Sequence, residues 1–296
     1  MIYIGGYKAE QNQGIYALCD DLSFHHQICT DDGTSYFDVD QNGIYTIIKE
    51  NEQGGVAIYD HKGLLKSKAL FDKKPGCFIK KHDDKIYVAY YHDACVQVFD
   101  LQLNLLKEIQ FESGAKCHQI AFFHEGIAVV CLGLDQIIFY DDNYQVIRKI
   151  HFPKGSGPRH LVSKKDESEI YVLSELSNEL FILKNHKIVQ VLSIKQNDIP
   201  TSGAAIRLSE DEKHLYTSTR GQNLIKHFIR EDIWKEAQCY PLTGIHPRDF
   251  NLKSDSVIVG YQGTDLVEII TLDEEKNLKE TIHRAKYDKI VCVKYD

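Results

Sequence analysis

Ile44-Tyr45-Thr46-Ile47 and Ile86-Tyr87-Val88-Ala89 lie 42 residues apart and read as one element met twice. Each is a short run of β-branched and aromatic residues, the composition of a strand on a pleated, packed surface. The run recurs along the chain as Ile2-Tyr3-Ile4, Ile127-Ala128-Val129-Val130, Ile170-Tyr171-Val172-Leu173, Leu215-Tyr216-Thr217-Ser218 and Val257-Ile258-Val259-Gly260. The seven starts are separated by 42, 42, 41, 43, 45 and 42 residues. A second run follows nine residues after the first in five repeats, at Cys95, Gln136, Glu179, Leu224 and Leu266. In the first two repeats it is Gly14-Ile15-Tyr16-Ala17-Leu18 and Val56-Ala57-Ile58-Tyr59-Asp60. A further strand precedes the first run, as in Cys77-Phe78-Ile79, His118-Gln119-Ile120-Ala121, His160-Leu161-Val162 and Phe250-Asn251-Leu252.

A period of about 40–45 residues made of short strands is the pattern of a β-propeller with four strands per blade. Seven such periods account for 296 residues. The repeats therefore predict an all-β chain, a single seven-bladed domain over residues 1–296, with no room for a second. The first repeat has no strand ahead of Ile2, and the chain ends on the strand-like Ile290-Val291-Cys292-Val293-Lys294-Tyr295. This C-terminal strand is expected to complete the N-terminal blade and tie the ring shut. One short helical turn is expected within 230–236.

Composition narrows the function classes. The chain has 35 Lys+Arg against 43 Asp+Glu, a net charge of −8, and is 43% hydrophobic. That excludes a disordered chain, a collagen and a coiled coil. No apolar run approaches the ~20 residues of a membrane helix. The N-terminus lacks the basic and apolar pattern of a signal peptide. Net negative charge argues against nucleic acid or a membrane surface as partner. The eight cysteines contain no C-x-x-C pair, and several sit in apolar runs. They are read as reduced and buried in a cytoplasmic protein, without a zinc site.

Propeller geometry selects a face without any motif. The inner strand A and its neighbour B are antiparallel, so the start of A and the end of B share one face of the disc. The A starts are read as Tyr36, Cys77, His118, Arg159-His160, Arg207 and Arg248, with Arg207 a little further along. The B ends are read as Tyr7, Glu50, Tyr91-His92, Cys131, Glu175, Arg220 and Gln262. An acidic chain thus gathers Arg159, Arg207, Arg220, Arg248, Lys116, His118 and His160 around one mouth. Guanidinium forks match carboxylate and phosphate, so the expected partner is a small anionic molecule.

Several motifs, in order along the chain, resemble the seven-bladed propeller lactonase family. Gly155-Ser156-Gly157-Pro158-Arg159-His160-Leu161 is similar to its G-x-G-P-R-H-L, and Ser174-Glu175-Leu176-Ser177 to its N-E-L-S. Ala204 to Asp211 is similar to A-E-I-R-L-S-P-D, and Leu215 to Gly221 to L-Y-A-S-N-R-G. Pro247-Arg248-Asp249-Phe250 is similar to P-R-D-F. That family includes propeller-type 6-phosphogluconolactonases and carboxy-muconate lactonizing enzymes. The resemblance implies a site on the same face, with Arg159 and Arg220 as substrate-binding or charge-stabilising groups. It places Glu175 at the acidic position and His118 at a family histidine, with Lys116 standing where the family has another. The chain departs from the family at Tyr90, Ser174, Thr219 and Tyr261, where Asn is usual, and at Cys131, where Asp is common.

The resulting expectation is hydrolysis of a phosphorylated sugar lactone, most plausibly 6-phosphogluconolactone to 6-phosphogluconate in the pentose phosphate route. His118 or Glu175 would serve as general base and Arg159 or Arg220 would steady the oxyanion. His160, Arg207, Arg248 and Lys116 would bind the anionic tail. No cofactor or metal is expected, since only Glu50, Glu175 and Asp249 offer carboxylates at the mouth. No G-x-S-x-G nucleophile elbow is present. A Cys131–His118 pair is the one nucleophilic alternative. The alternatives in function are a carboxy-muconate lactonizing enzyme, a non-catalytic sugar-acid binder, or a protein-interaction propeller presenting Tyr36, Tyr90, Tyr91 and Tyr261.

Overall fold

The seven repeats fold as seven four-stranded antiparallel sheets, each ordered A-B-C-D from the channel outward. This is a computed structural model, and it describes residues 1–9 and 13–295. Blades 2 to 7 take their strands in chain order. Blade 5, for example, is Pro158–Ser163, Glu169–Ser174, Glu179–Lys184 and Lys187–Ser193. Blade 1 is built from both ends of the chain. Ile290–Tyr295 is its inner strand and pairs antiparallel with Ile2–Gly6, Ile4 facing Val293. The C-terminal strand therefore closes the ring, as the repeat count requires.

Burial explains the sequence signal. Strands A to C are covered on both sides by neighbouring blades, so their apolar runs are continuous rather than alternating. Ile170, Tyr171, Val172 and Leu173 are all buried. The core lies in layers between blades. Ala128 and Phe139 of blade 4 pack with Leu161, Val172 and Phe181 of blade 5. Ile258 and Ile269 of blade 7 pack with Ile2, Ile4 and Val293 of blade 1. The outer D strands have one open side and are mostly exposed, Leu65–Leu70 among them.

No helical turn forms within 230–236. Arg230 ends strand C of blade 6, and Trp234–Pro241 is the outer strand. The reason is the seam with blade 5. Trp234 is fully buried, edge-on to Tyr171 at 5.2 Å between centroids. Arg230 covers the indole at 5.6 Å and donates to both oxygens of Glu169, at 2.8 and 2.9 Å. Among the described residues the helical element is a single 3₁₀ turn, Leu132–Leu134. None is long and apolar enough to cross a membrane.

Candidate active site at the channel mouth

A one-residue backbone irregularity recurs near the start of strand A in five blades, in blade 6 at Ala204 and Ala205. The pairing of strands A and B steps over His118 in blade 4, Arg159 in blade 5 and Arg248 in blade 7. In blade 1 it steps over Val291. Each is the extra residue of a β-bulge, a device that re-aims a side chain. All four line one cavity of about 340 Å³ at the mouth, together with Tyr7, Tyr36, Cys77, Tyr91, His92, His160, Glu175, Arg220 and Asp249.

The loop that delivers Arg159 is fixed by its glycines and by Asp135. Gly155 and Gly157 have φ of +81° and +62°, a region that glycine enters without steric cost. A Cβ on Gly157 would lie 2.6 Å from Leu176 Cγ. The Asp135 carboxylate accepts the backbone N–H of Gly155 at 2.7 Å and of Gly157 at 2.8 Å. The Gly157 carbonyl in turn accepts the N–H of Glu175 at 2.8 Å. The loop before strand A thus sets the position of the acid that follows strand B.

Arg159 and Arg220 converge on one carboxylate oxygen. Arg159 Nε donates to Glu175 Oε2 at 2.8 Å, and Arg220 Nη2 lies 3.0 Å from the same atom. Arg159 Nη1 also donates to the Ala204 carbonyl, and Arg220 Nη2 to that of Gly203 at 3.1 Å. Burial would raise the Glu175 carboxyl, but the two guanidinium charges outweigh it and hold it below its ordinary value. Burial, with Arg248 and Arg220 nearby, brings Arg159 down to about 10. One carboxylate serves two arginines, so the cluster keeps a net positive charge.

The two histidines are neutral at physiological pH. Burial, then the charges of Arg159 and Arg248, hold His118 well below its ordinary value. His160 is lowered by burial, Arg159 and His118. Their rings meet edge to face at 5.0 Å. His118 Nδ1 is buried and has no hydrogen-bond partner. Arg248 Nη1 donates to Gln262 Oε1 at 3.2 Å and lies over the Tyr7 ring. No carboxylate of the described residues pairs with it.

Six of the eight expected site residues share the cavity: His118, Arg159, His160, Glu175, Arg220 and Arg248. Two do not. Arg207 points inward and pairs with Asp249 at 2.5 Å, and the cavity it lines opens on the opposite face of the disc, among the A–B turns of blades 6 and 7. It is the next-to-last residue of strand Ser202–Leu208, too far down the channel to line the mouth cavity. Lys116 is exposed, rests over the Tyr91 ring 5.6 Å from its centroid, and does not line the cavity. Lys116 has a positive φ that turns the chain just ahead of the strand.

Other expectations at the mouth are also corrected. Glu50 ends an eight-residue strand that runs past the mouth, and it faces Lys68 at 3.4 Å. Cys131 is buried beside its cross-strand partner Cys117 in an apolar cluster, so it makes no pair with His118. Tyr90 and Tyr261 are fully buried within their blades and present no aromatic surface. Tyr261 bonds instead to Glu268. The residues missed in the sequence are Ser35 and Val291. Val291 reaches the cavity because the C-terminal strand carries the same bulge. Among the described residues no three His, Cys, Asp or Glu side chains cluster as metal ligands would.

Comparisons with known proteins agree with this architecture. The family model described as lactonase, 7-bladed beta-propeller, matches residues 1–295. An uncharacterised Staphylococcus aureus protein is 30% identical over 92% of this chain and 93% of its own. A crystal structure from Lactobacillus plantarum superposes with a TM-score of 0.91 at 24% identity, covering 99% of this chain and 98% of that one. A Bacteroides fragilis structure, provisionally named a 6-phosphogluconolactonase, superposes with a TM-score of 0.85 at 20% identity over 99% and 96%. The full-length family match, the ring of seven blades and the arginine-rich mouth together show that this chain belongs to the seven-bladed β-propeller lactonase family.

Proposed function

We propose that the protein hydrolyses 6-phosphogluconolactone to 6-phosphogluconate, as a cytoplasmic, metal-independent lactonase of the pentose phosphate route. The observation that carries the reading is Glu175, an ionised carboxylate held by two arginines on one oxygen beside a cavity sized for a sugar. Lactone opening needs a water made nucleophilic, a place for the oxyanion, and a proton for the leaving alkoxide. Glu175 takes a proton from water as its oxygen bonds to the lactone carbonyl carbon. The oxyanion that forms faces Arg159 and Arg220, which stand where a Lewis acid would otherwise be needed. When the ring C–O bond breaks, the proton passes from Glu175 to the alkoxide, giving the open hydroxy acid. His118, neutral and with Nδ1 unpartnered, is the group best placed to orient the water.

Arg248 is the anchor for the substrate's anionic tail, because its charge is the one at the mouth without a carboxylate among the described residues. All eight cysteines are free thiols, which suits a reducing compartment. The test is hydrolysis of 6-phosphogluconolactone by the purified protein, above its spontaneous rate, with Arg159→Ala as control. Catalysis that disappears in the variant supports the reading. A wild-type rate equal to background counts against it.

A further inference from the structure

Beside the mouth cavity lies a second, open groove of about 470 Å³ on the same face, lined by Pro200, Thr201, Ser202, Arg220, Gly221, His246, Arg248 and Gln262. Arg220 and Arg248 line both. They form the wall between an inner lobe, which holds Glu175, His118 and Arg159, and an outer lobe over blades 6 and 7.

The two lobes differ in chemistry. The inner one contains carboxylates, Glu175 and Asp249. The outer one contains none, and adds His246 to the two guanidinium groups. Arg220 is neutralised from the inner side by Glu175. Among the described residues Arg248 bonds to the amide oxygen of Gln262 and lies over the Tyr7 ring, with no carboxylate partner. The charge facing the outer lobe is therefore uncompensated by the residues that line it. Ser202 and the Gln262 amide add neutral donors beside that charge.

Resting on the lactonase reading, we infer that the outer groove is a phosphomonoester subsite, formed by Arg248, Arg220, Ser202, His246 and Gln262. The lactone ring occupies the inner lobe, and the phosphate crosses the arginine wall on its side arm. This arrangement selects a substrate whose anion stands off from the ring. A lactone with carboxylates attached directly to its ring would keep every charge in the inner lobe and leave the groove empty. The subsite thus separates sugar-phosphate lactones from muconolactone-type substrates, a choice that arginine chemistry alone leaves open. Neither His160, which lines the inner lobe beside Arg159, nor Lys116, outside the cavity, takes part in holding the tail.

The test is binding of the product acids, which needs no turnover. Calorimetric titration compares 6-phosphogluconate with gluconate on the wild-type protein and on Gln262→Glu. That substitution keeps the side-chain shape and sets a carboxylate against Arg248, so it favours the fold while cancelling the groove's charge. The wild type should bind 6-phosphogluconate about ten- to hundred-fold more tightly than gluconate, the scale of a charged hydrogen-bonded contact. Gln262→Glu should remove most of that preference. Ser202→Asp, at the other side of the groove, should do the same. Equal wild-type affinity for the two acids overturns the subsite, as does a preference that survives both substitutions. Hydrolysis assays judge the lactonase reading separately: phosphate preference without turnover would keep the subsite and remove the activity.

Discussion

Arg248 carries its guanidinium 5.7 Å from the centroid of the Tyr7 ring, bridging blade 7 to blade 1 across the mouth. A cation over an aromatic face is a modest attraction, worth about 0.5–1 kcal/mol where water reaches it. It orients the charge without neutralising it. Arg248→Ala should therefore leave stability within about 1 kcal/mol of wild type, while raising KM for the phosphorylated lactone about ten- to hundred-fold. Initial-rate kinetics with a parallel urea melt checks this. A large loss of stability with unchanged KM would mean that Arg248 is structural.

Glu175→Gln should do the reverse. It removes the charge shared by Arg159 and Arg220 and leaves two adjacent cations, one of them almost fully buried. Breaking a buried pair from one side costs about 3–5 kcal/mol, and the partial exposure of Glu175 puts this variant at roughly 2–3 kcal/mol. As the proposed base, its loss should lower kcat by roughly 10²–10⁴-fold. Urea melts and single-turnover rates read the two effects independently.

Acid should unfold this protein early. His118, His160 and His227 are buried, and each is held below its ordinary value, His227 at about 4. Below about pH 6.5 the unfolded chain takes up protons that the folded chain refuses. Stability is therefore full above that pH and is lost as pH falls toward the folded values. Each histidine contributes about 1.4 kcal/mol per pH unit in that window. Urea midpoints between pH 7.5 and 4.5 should show an uptake of two to three protons on unfolding. An uptake below one proton would mean that these imidazoles are not buried as neutral groups.

Gly155 and Gly157 have similar backbone angles but different surroundings. A Cβ at Gly155 meets nothing within 4 Å, whereas at Gly157 it runs into Leu176. Gly155→Ala should cost only the left-handed backbone term, about 1–2 kcal/mol. Gly157→Ala adds a clash beside Glu175 and should cost more. It should also reduce kcat, since the Gly157 carbonyl holds the Glu175 N–H. Equal effects on activity from the two variants would show that this loop does not position the acid.

The repeats made the blades legible because the inner strands are covered on both faces and must be apolar throughout. Ring closure followed from counting strands. The outer strands were harder. Trp234–Pro241 contains Lys235, Glu236 and Ala237, good helix formers, yet it pairs along Leu224–Arg230 as a strand, anchored by the indole buried against Tyr171. The mouth was legible from topology, since antiparallel pairing fixes which strand ends share a face. What topology could not convey was direction at single residues. Bulges turn His118, Arg159, Arg248 and Val291 into the cavity, whereas Arg207, on an equally well matched motif, sits near the far end of its strand and pairs with Asp249. Glu50 and Cys131 sit at comparable strand ends, yet one lies beyond the mouth and the other faces the apolar layer between blades.

The strand that closes blade 1 also reaches the site, for the N–H of Val293 donates to Asp249 at 2.9 Å. Blades 2 to 7 lie between its partner strand, Ile2–Gly6, and Ile290–Tyr295 in the chain, so the first is made long before the second. While those six blades are synthesised, blade 1 therefore waits with a bare apolar edge, the condition in which strands pair with the wrong neighbour. Nascent chains should need shielding for longer than a protein of this size built from local contacts. The mouth cavity comes together only when these two strands meet.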